Sequence, residues 1–396
     1  MTTVFRYGHA SHPNWQTALG LALGDAQSQL QSASYEQQAN LGIVYASHHY
    51  ALEVDQLIET LRLKTGVRDW VGAIGHGVCA TGIGYGDQAS VALMLTHLPW
   101  NSYQIFAEPE EADVERHFPM EGFQAHCALI HADPSHPHLQ ERLQELALDT
   151  NTGLLFGGIV HGEPGGFSHL ANESLTAGLS GAAFSPRVGI RSRVSQGCTV
   201  LSREHVISEC STHYISALDG KPALDVLLDD LELPASVRAS RDGDEILRAL
   251  PSSRLRDGLF VGLSAGERKQ GRGFGDYLVR NLIGIDPKNR IVAVAASPDV
   301  GDRVVFCTRD ANAARQDLIR VCTELREEVE EEGLQIRGAL YHSCVARGAN
   351  LFGDGNVEPS LIRHNLGDVP LIGFQANGEI FHDRIYSHSA VLTIFV

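Results

Sequence analysis

The chain has 396 residues and a formal net charge of −17, with 43% hydrophobic and 20% charged residues. That length exceeds one ordinary core, so two domains or a body built from related parts are expected. The acidic balance leaves no basic footprint for nucleic acid, and no window of about 18 apolar residues supports a membrane span.

The opening MTTVFRYGHASHPNW lacks a basic segment followed by an apolar core, so no secretion signal is expected. Seven scattered cysteines without a C-x-x-C pair argue against a disulfide framework or structural zinc. A reducing cytoplasm is expected. Leu19, Leu23, Ala26 and Leu30 recur at helical spacing. LGIVYAS (Leu41 to Ser47) has strand length, and EVDQLIETLRLKTG returns to helical period, with Gly66 as its C-cap. WVGAIGHGVCATGIGYG holds six glycines in seventeen residues, which suits a strand entering a backbone-exposed turn. After the acidic connection FAEPEEADVERHFPMEG, AHCALIHADP reads as a strand, PHLQERLQELALDTNTG as a helix, and LLFGGIVHGEPGG as a strand into a glycine loop. From about 201 to 232 the pattern suggests helix and loop. Residues 233–258, interrupted by Pro234 and Pro251, read as a linker. Beyond it come three strands and the clearest helix, with Ala314, Leu318, Val321, Cys322, Leu325 and Val329 as its apolar stripe and Asp310 as its N-cap. Its acidic run ELREEVEEEG reads as a solvated face.

Two distant stretches share a plan. WVGAIGHGVCATGIGYGDQASVALML and LIGFQANGEIFHDRIYSHSAVLTIF each enter a strand at V-G or I-G, pass through glycines and end in an apolar strand. Gly72 to Val91 spans nineteen residues and Gly373 to Val391 eighteen. LLFGGIVHGEPGG…GLSGAAFS repeats the plan more loosely. A duplicated helix–strand–turn–strand unit is expected.

DYLVRNLIGID, CTRDANAARQDL, SCVARGANLFG and LGDVPLIGFQANGEI…VLTIF occur in that order. With DWVGAIGHGVCATG, SGAAFS, VSQGC and ALDGKPALDVL, they resemble the FIST (F-box and intracellular signal transduction) family of the stand-alone bacterial type, over almost the whole chain beyond residue 40. The resemblance implies a FIST-N domain in 1–237, a FIST-C domain in 238–396, and a sensory module that binds a small ligand and signals through a separate protein. Some members are haem-based nitric oxide sensors that regulate a kinase, so haem is an alternative cofactor. The chain departs from the commonest N-terminal pattern at Ile83-Gly84, where many members have Gly-Glu-Ile.

The expected fold is α+β, with two related domains of mixed or antiparallel sheets and helices, as pseudo-duplicated halves. The leading function is non-catalytic binding of a small polar metabolite, an amino acid among the options, between the domains. Arg347 and Gly348 are the foremost ligand contacts: glycine allows close backbone approach, and a guanidinium fork suits a carboxylate. Arg280 and Asn281 are polar between apolar neighbours. Arg309 and Asp310 sit at a strand–helix junction, and Glu379 is a partner for an arginine or an amine. Gly77, Gln196 and Cys344 complete the set. Cys344, with His342 two residues away, reads as a nucleophile, a ligand or a small core residue. Cys198 is a second nucleophile candidate for an enzyme reading. The glycine turns match neither a P-loop nor a dinucleotide fingerprint, and no nucleophile elbow is present. No H-E-x-x-H occurs. His48, His49, His76, His131, His161, His213 and His342 lie near strands or turns, each a core, surface or axial-ligand residue.

Overall fold

The computed structural model describes residues 5–29, 39–108, 122–162, 168–250, 258–264 and 277–396. Leu30, most of the acidic connection before Gly122, the glycine loop at 163–167 and the end of the 233–258 segment lie outside the described residues. The chain forms two compact units, one from 1–195 with 317–396 and one from 196–316. The division expected at 237/238 falls inside the second unit, where residues 235–249 carry two helices and Leu233 and Ile246 are buried in the apolar core.

The first unit is built from three copies of one plan. Copy one runs β1 (Phe5–Ser11), α1 (Trp15–Ser28), β2 (Leu41–Ser47), α2 (Val54–Thr65), β3 (Asp69–Gly75), the hairpin β4 (Val78–Ala80) and β5 (Ile83–Gly84), then β6 (Ser90–Thr96). Copy two runs β7 (Tyr103–Glu108), β8 (Cys127–Ala132), α3 (Leu139–Leu148), β9 (Leu154–Ile159), the hairpin β10 (His169–Ala171) and β11 (Ser174–Leu175), then β12 (Leu179–Phe184). Copy three begins with β13 (Ile190–Gln196), and the chain then forms the second unit. That unit holds β14 (Cys198–Val200), β15 (His205–Ser211), β16 (Tyr214–Leu218), β17 (Lys221–Pro222), α4 (Ala223–Asp230), α5 (Ala235–Arg238), α6 (Gly243–Ala249), β18 (Phe260–Ser264), β19 (Leu278–Asp286), β20 (Ile291–Val294) and β21 (Arg303–Arg309). Copy three resumes with α7 (Ala311–Glu331), β22 (Gly338–Cys344), α8 (Gly348–Phe352), α9 (Val357–Leu366), β23 (Leu371–Ala376), the hairpin β24 (Gly378–Phe381) and β25 (Arg384–Tyr386), and β26 (Ser389–Phe395).

The α+β class with mixed sheets is as expected, and the looser third stretch proves to be a full copy. The three sheets have the same order: β1-β6-β2-β3-β10-β11, β7-β12-β8-β9-β24-β25 and β13-β26-β22-β23-β4-β5. Each has one parallel pair at its centre, β2/β3, β8/β9 and β22/β23. Each copy also lends its hairpin to another copy's sheet: β4 pairs with β23, β10 with β3 and β24 with β9. The exchange is cyclic, so the inner edge of every sheet has its backbone groups satisfied by a different copy. One apolar core, including Tyr45, Val71, Leu129, Phe156, Leu340, Phe374 and Phe395, joins the inner faces. Helices cover the outer faces through separate clusters around Leu19 and Leu61, Leu143 and Leu146, and Leu318 and Leu325.

The glycine opening each repeat is required by a close approach. Gly72 lies opposite Val44, Gly157 opposite Ile130 and Gly373 opposite Tyr341. A Cβ at these glycines would stand 1.9, 1.9 and 1.8 Å from the partner carbonyl oxygen, well inside van der Waals contact.

In the second unit the pairings run β21-β15-β16-β20-β19-β18, and β18 returns to β21, closing the circuit. The helix-and-loop expectation for 201–232 is corrected here. β15 and β16 form a hairpin because Ile207, Ile215 and Leu218 bury into the core while Val206 and Tyr214 face outward. The stripe of α7 is buried as expected. Its acidic face is less solvated than expected: Glu328 receives Arg191 at 2.7 Å and Arg193 at 2.6 Å, and Glu332 receives Arg191 at 2.8 Å. No helix among the described residues is long and apolar enough to cross a membrane.

Candidate functional site

The three copies bring equivalent residues together inside the first unit. The fifth residue of the central strand is Tyr45 in β2, His131 in β8 and His342 in β22. All three are fully buried. The Tyr45 hydroxyl lies 3.2 Å from His131 Nε2 and 3.0 Å from His342 Nε2. A hydroxyl donates to one ring and accepts from the other, so the two histidines hold opposite tautomers. Burial pushes the His342 pKa down to about 3 and His131 well below its ordinary value, so both rings are neutral. Among the described residues their Nδ1 atoms have no hydrogen-bond partner.

A second layer of equivalents follows the parallel strands. Four residues beyond each repeat glycine stand His76, His161 and Asn377, each followed by glycine. Asn377 Nδ2 donates to the Val160 carbonyl at 2.9 Å, which orients the amide, and its Oδ1 accepts from His76 Nε2 at 2.8 Å. His161 Nδ1 lies 3.1 Å from the same nitrogen. His48 and His49, in the short turn after β2, stand beside this layer, with the His48 ring centroid 5.1 Å from that of His161.

The third copy carries a buried charged network. Arg347 is fully buried, and its Nε donates to Glu358 Oε1 at 2.7 Å. Glu358 also accepts from Tyr341 Oη at 2.8 Å, Ser343 Oγ at 2.9 Å and the Gly348 amide at 3.3 Å. The other Arg347 nitrogens point to Ser195 at 3.5 Å. Glu379, also fully buried, accepts from the Ser389 hydroxyl and amide through Oε2, while Oε1 has no hydrogen-bond partner among the described residues. Burial pushes its pKa up to about 8, against the opposing pull of Ser389 and Arg347. One guanidinium balances one carboxylate: Glu358 holds the direct contact, and Glu379 keeps its proton at neutral pH.

The sign of the pH effect follows. The folded state holds the Glu379 proton between the unfolded carboxylate range, about 4.3, and about 8. The stabilisation is therefore full below about 4.3 and is lost as pH rises toward 8. In urea titrations at pH 5 and pH 8, wild type should lose stability toward pH 8 at up to about 1.4 kcal/mol per pH unit from this group. Glu379→Gln should flatten that slope, and an unchanged slope would remove Glu379 as its origin.

Gln375 in β23 is half-buried and lies between two of the glycines singled out by sequence. A Cβ on Gly77 would stand 3.1 Å from its Oε1, and one on Gly348 would stand 2.6 Å from its Nε2. The backbone is locked, with Gln375 N bonded to the Gly77 carbonyl at 2.8 Å and His76 N to the Gln375 carbonyl at 3.1 Å.

Of the residues nominated from sequence, Arg347, Gly348, Glu379, Cys344 and Gly77 belong to the first unit, with Gln375 linking Gly77 to Gly348. Arg280, Asn281, Arg309, Asp310 and Gln196 belong to the second. There Asp310 caps α7, accepting from the amides of Asn312 and Ala313 at 2.7 and 3.0 Å. Arg309 stands 5.8 Å over the Phe260 ring, Arg280 donates to the Val279 carbonyl at 2.9 Å, Asn281 pairs with Phe260 in the β18–β19 ladder, and Gln196 Nε2 donates to the Tyr277 carbonyl at 2.9 Å. Cys344 is 4% exposed, and burial, reinforced by Glu379, pushes its thiol up to about 12. That leaves no thiolate for nucleophilic attack. Cys198 is buried beside Cys307. Haem also finds no fitted place on these residues. His131 and His342 are closed in by Tyr45 and Phe374, and among the described residues the His76 and His161 layer meets the polar Asn377 and His48, where a macrocycle needs apolar walls. Sequence reasoning missed Tyr45, Gln375, Glu358 and Asn377. The available signal was the shared offset: residue five of each central strand, and His-Gly, His-Gly and Asn-Gly at one spacing from each repeat glycine.

The FIST N domain matches residues 40–221 and the FIST C domain residues 223–382. The chain therefore belongs to the FIST family, whose domains are associated with signal-transduction sensing. An uncharacterized protein of Mycobacterium tuberculosis (strain H37Rv) is 31% identical over 261 residues, 64% of this chain and 64% of its own length. One of Mycobacterium bovis is 31% identical over 229 residues, 57% of this chain and 55% of its own. The matched segments thus span less than two thirds of these relatives.

Proposed function

We propose that this protein is a cytoplasmic, non-catalytic sensory module that binds a small polar metabolite in its first unit, with Gln375 at the centre of the contact, and signals through a separate protein. The supporting observation is the Gln375 side chain. It sits between Gly77 and Gly348, where any larger residue would collide with it, and among the described residues its amide makes no hydrogen bond. An amide offers one acceptor and two donors. Oε1 suits an ammonium group and Nε2 a carboxylate, so a free amino acid has matching chemistry. Arg347 supports this site from behind: its Nε is committed to Glu358, and Glu358 in turn holds the Gly348 amide.

The test is a melting-temperature screen of amino acids and small carboxylates, followed by calorimetric titration of any compound that raises the midpoint. A ligand at 100 times its Kd adds about 2.7 kcal/mol to stability. Gln375→Ala should weaken binding about tenfold, or 1.4 kcal/mol, without lowering the ligand-free melting temperature. Flat curves for both classes, or unchanged affinity in Gln375→Ala, would overturn the reading.

A further inference from the structure

The histidines beside the second layer carry a separate chemistry. His48, His49 and Asp87 place one ligand atom each within 4.8 Å of one another. His48 Nε2 and Asp87 Oδ1 are already 3.5 Å apart. A tetrahedral zinc ion with bonds of about 2.0–2.1 Å holds its ligands about 3.3 Å from each other. Closing the widest gap takes no more than about 1.5 Å, within reach of rotation by two exposed side chains, His49 and Asp87. The tautomer is also set: His48 Nδ1 donates to the His76 carbonyl at 3.2 Å, which leaves the Nε2 lone pair directed toward Asp87. A backbone carbonyl behind a ligating imidazole is the usual outer-shell arrangement of metal-bound histidine.

The repeat plan supplies an independent argument. Three and four residues beyond the shared Tyr45, His131 and His342 position, copy one has His48 and His49. Copy two has Pro134 and Ser135, and copy three has Val345 and Ala346. Two copies pass the same point without histidine, so the fold itself does not demand these rings. We propose that His48, His49 and Asp87 form a site for one divalent transition-metal ion of the zinc class, with three protein ligands and a fourth position open to water or a ligand donor atom. The His76 carbonyl holds His48 in place, and the His76–Asn377 pair braces that carbonyl. The site does not depend on a metabolite at Gln375.

The experiment uses the full chain without an affinity tag and stripped with chelator, titrated with Zn²⁺ in a calorimeter and with Co²⁺ followed by its visible absorption. One ion per chain is expected, with the Co²⁺ spectrum of a low-coordinate nitrogen and oxygen site. His48→Ala/His49→Ala should weaken Zn²⁺ binding by more than about 100-fold, and Asp87→Asn by at least about tenfold. Asp87 has an 86% exposed side chain, so its variant reads binding with no folding loss. Gln375→Ala should bind Zn²⁺ as wild type does. Absence of binding to wild type at millimolar Zn²⁺, or equal affinity in wild type and both histidine and aspartate variants, would overturn the site.

Discussion

Arg347→Ala lowers stability by about 3–5 kcal/mol, the largest effect expected for a side-chain truncation in this protein. The reason is the asymmetry between removing a buried ion pair and breaking one. Arg347 and Glu358 are 0% and 2% exposed. Truncating the arginine leaves Glu358 in the interior with Tyr341, Ser343 and Gly348 as donors but without its counter-charge. It also removes one of the largest fully buried side chains, so a cavity adds to the electrostatic loss. Glu358→Gln should be costly as well, because the guanidinium then loses its direct ion pair, and the buried Glu379 must give up its proton to supply a counter-charge. Arg347→Met with Glu358→Gln removes both charges, keeps one acceptor oxygen for Tyr341 while the amide NH2 faces the Ser343 hydroxyl, which can accept, and should recover part of the loss. Urea unfolding followed by fluorescence of Trp70, which is fully buried in the same unit, reads all three. A loss below about 1 kcal/mol for Arg347→Ala would mean that the pair is hydrated and surface-like.

Gly373→Ala, and equally Gly72→Ala, should cost more than the roughly 3 kcal/mol that bounds most single substitutions. The new Cβ would sit 1.8 Å from the Tyr341 carbonyl in one case and 1.9 Å from Val44 in the other, and both obstacles are backbone, which cannot rotate away. The parallel pair must part or shift, and each pair supports a hairpin from another copy: β23 holds β4, and β3 holds β10. Gly24→Ala is the control. That glycine is in α1, and a methyl group there would meet nothing within 4 Å, so the change should be neutral or raise stability by helix propensity. Thermal melts of the three variants decide the matter. A Gly373→Ala midpoint within a few degrees of wild type would show that the strands tolerate displacement.

Glu379 shows how far local pattern carries. Its place after Asn-Gly and before an apolar pair marks it as a partner for an arginine or an amine, whereas its hydrogen bonds come from the Ser389 hydroxyl and amide. Its protonation is not legible, because that depends first on complete burial and then on Glu358, eleven residues from Arg347, occupying the guanidinium. Arg347 is likewise visible as an unusual charge after an apolar run. That its fork turns inward to Glu358 depends on α9 placing that carboxylate beside β22, a contact between elements that periodicity does not report. The segment 233–258 reads as a linker because proline, serine and glycine break its pattern. Leu233 and Ile246 are nevertheless buried, since a few well-placed apolar residues suffice once neighbouring strands provide a surface.

The spacing of glycines and apolar runs carried the repeat and most of its strands and helices, though not those of 201–258, because those follow from side-chain period and from where a Cβ is tolerated. Composition carried the acidic character, and family resemblance carried the FIST assignment. Three-dimensional neighbours were needed for everything that depends on copies meeting. The hairpin exchange pairs strands far apart along the chain, as in Phe374 with Val78, Ile380 with Gly157 and Leu170 with Gly72. Tyr45, His131 and His342 converge from three separate strands onto one hydroxyl, and His76, His161 and Asn377 converge one layer further on. Along the chain these residues have no common neighbour. They become a site because hydrogen bonding between sheet edges is satisfied only when each copy closes the next, and that closure brings equivalent positions into contact.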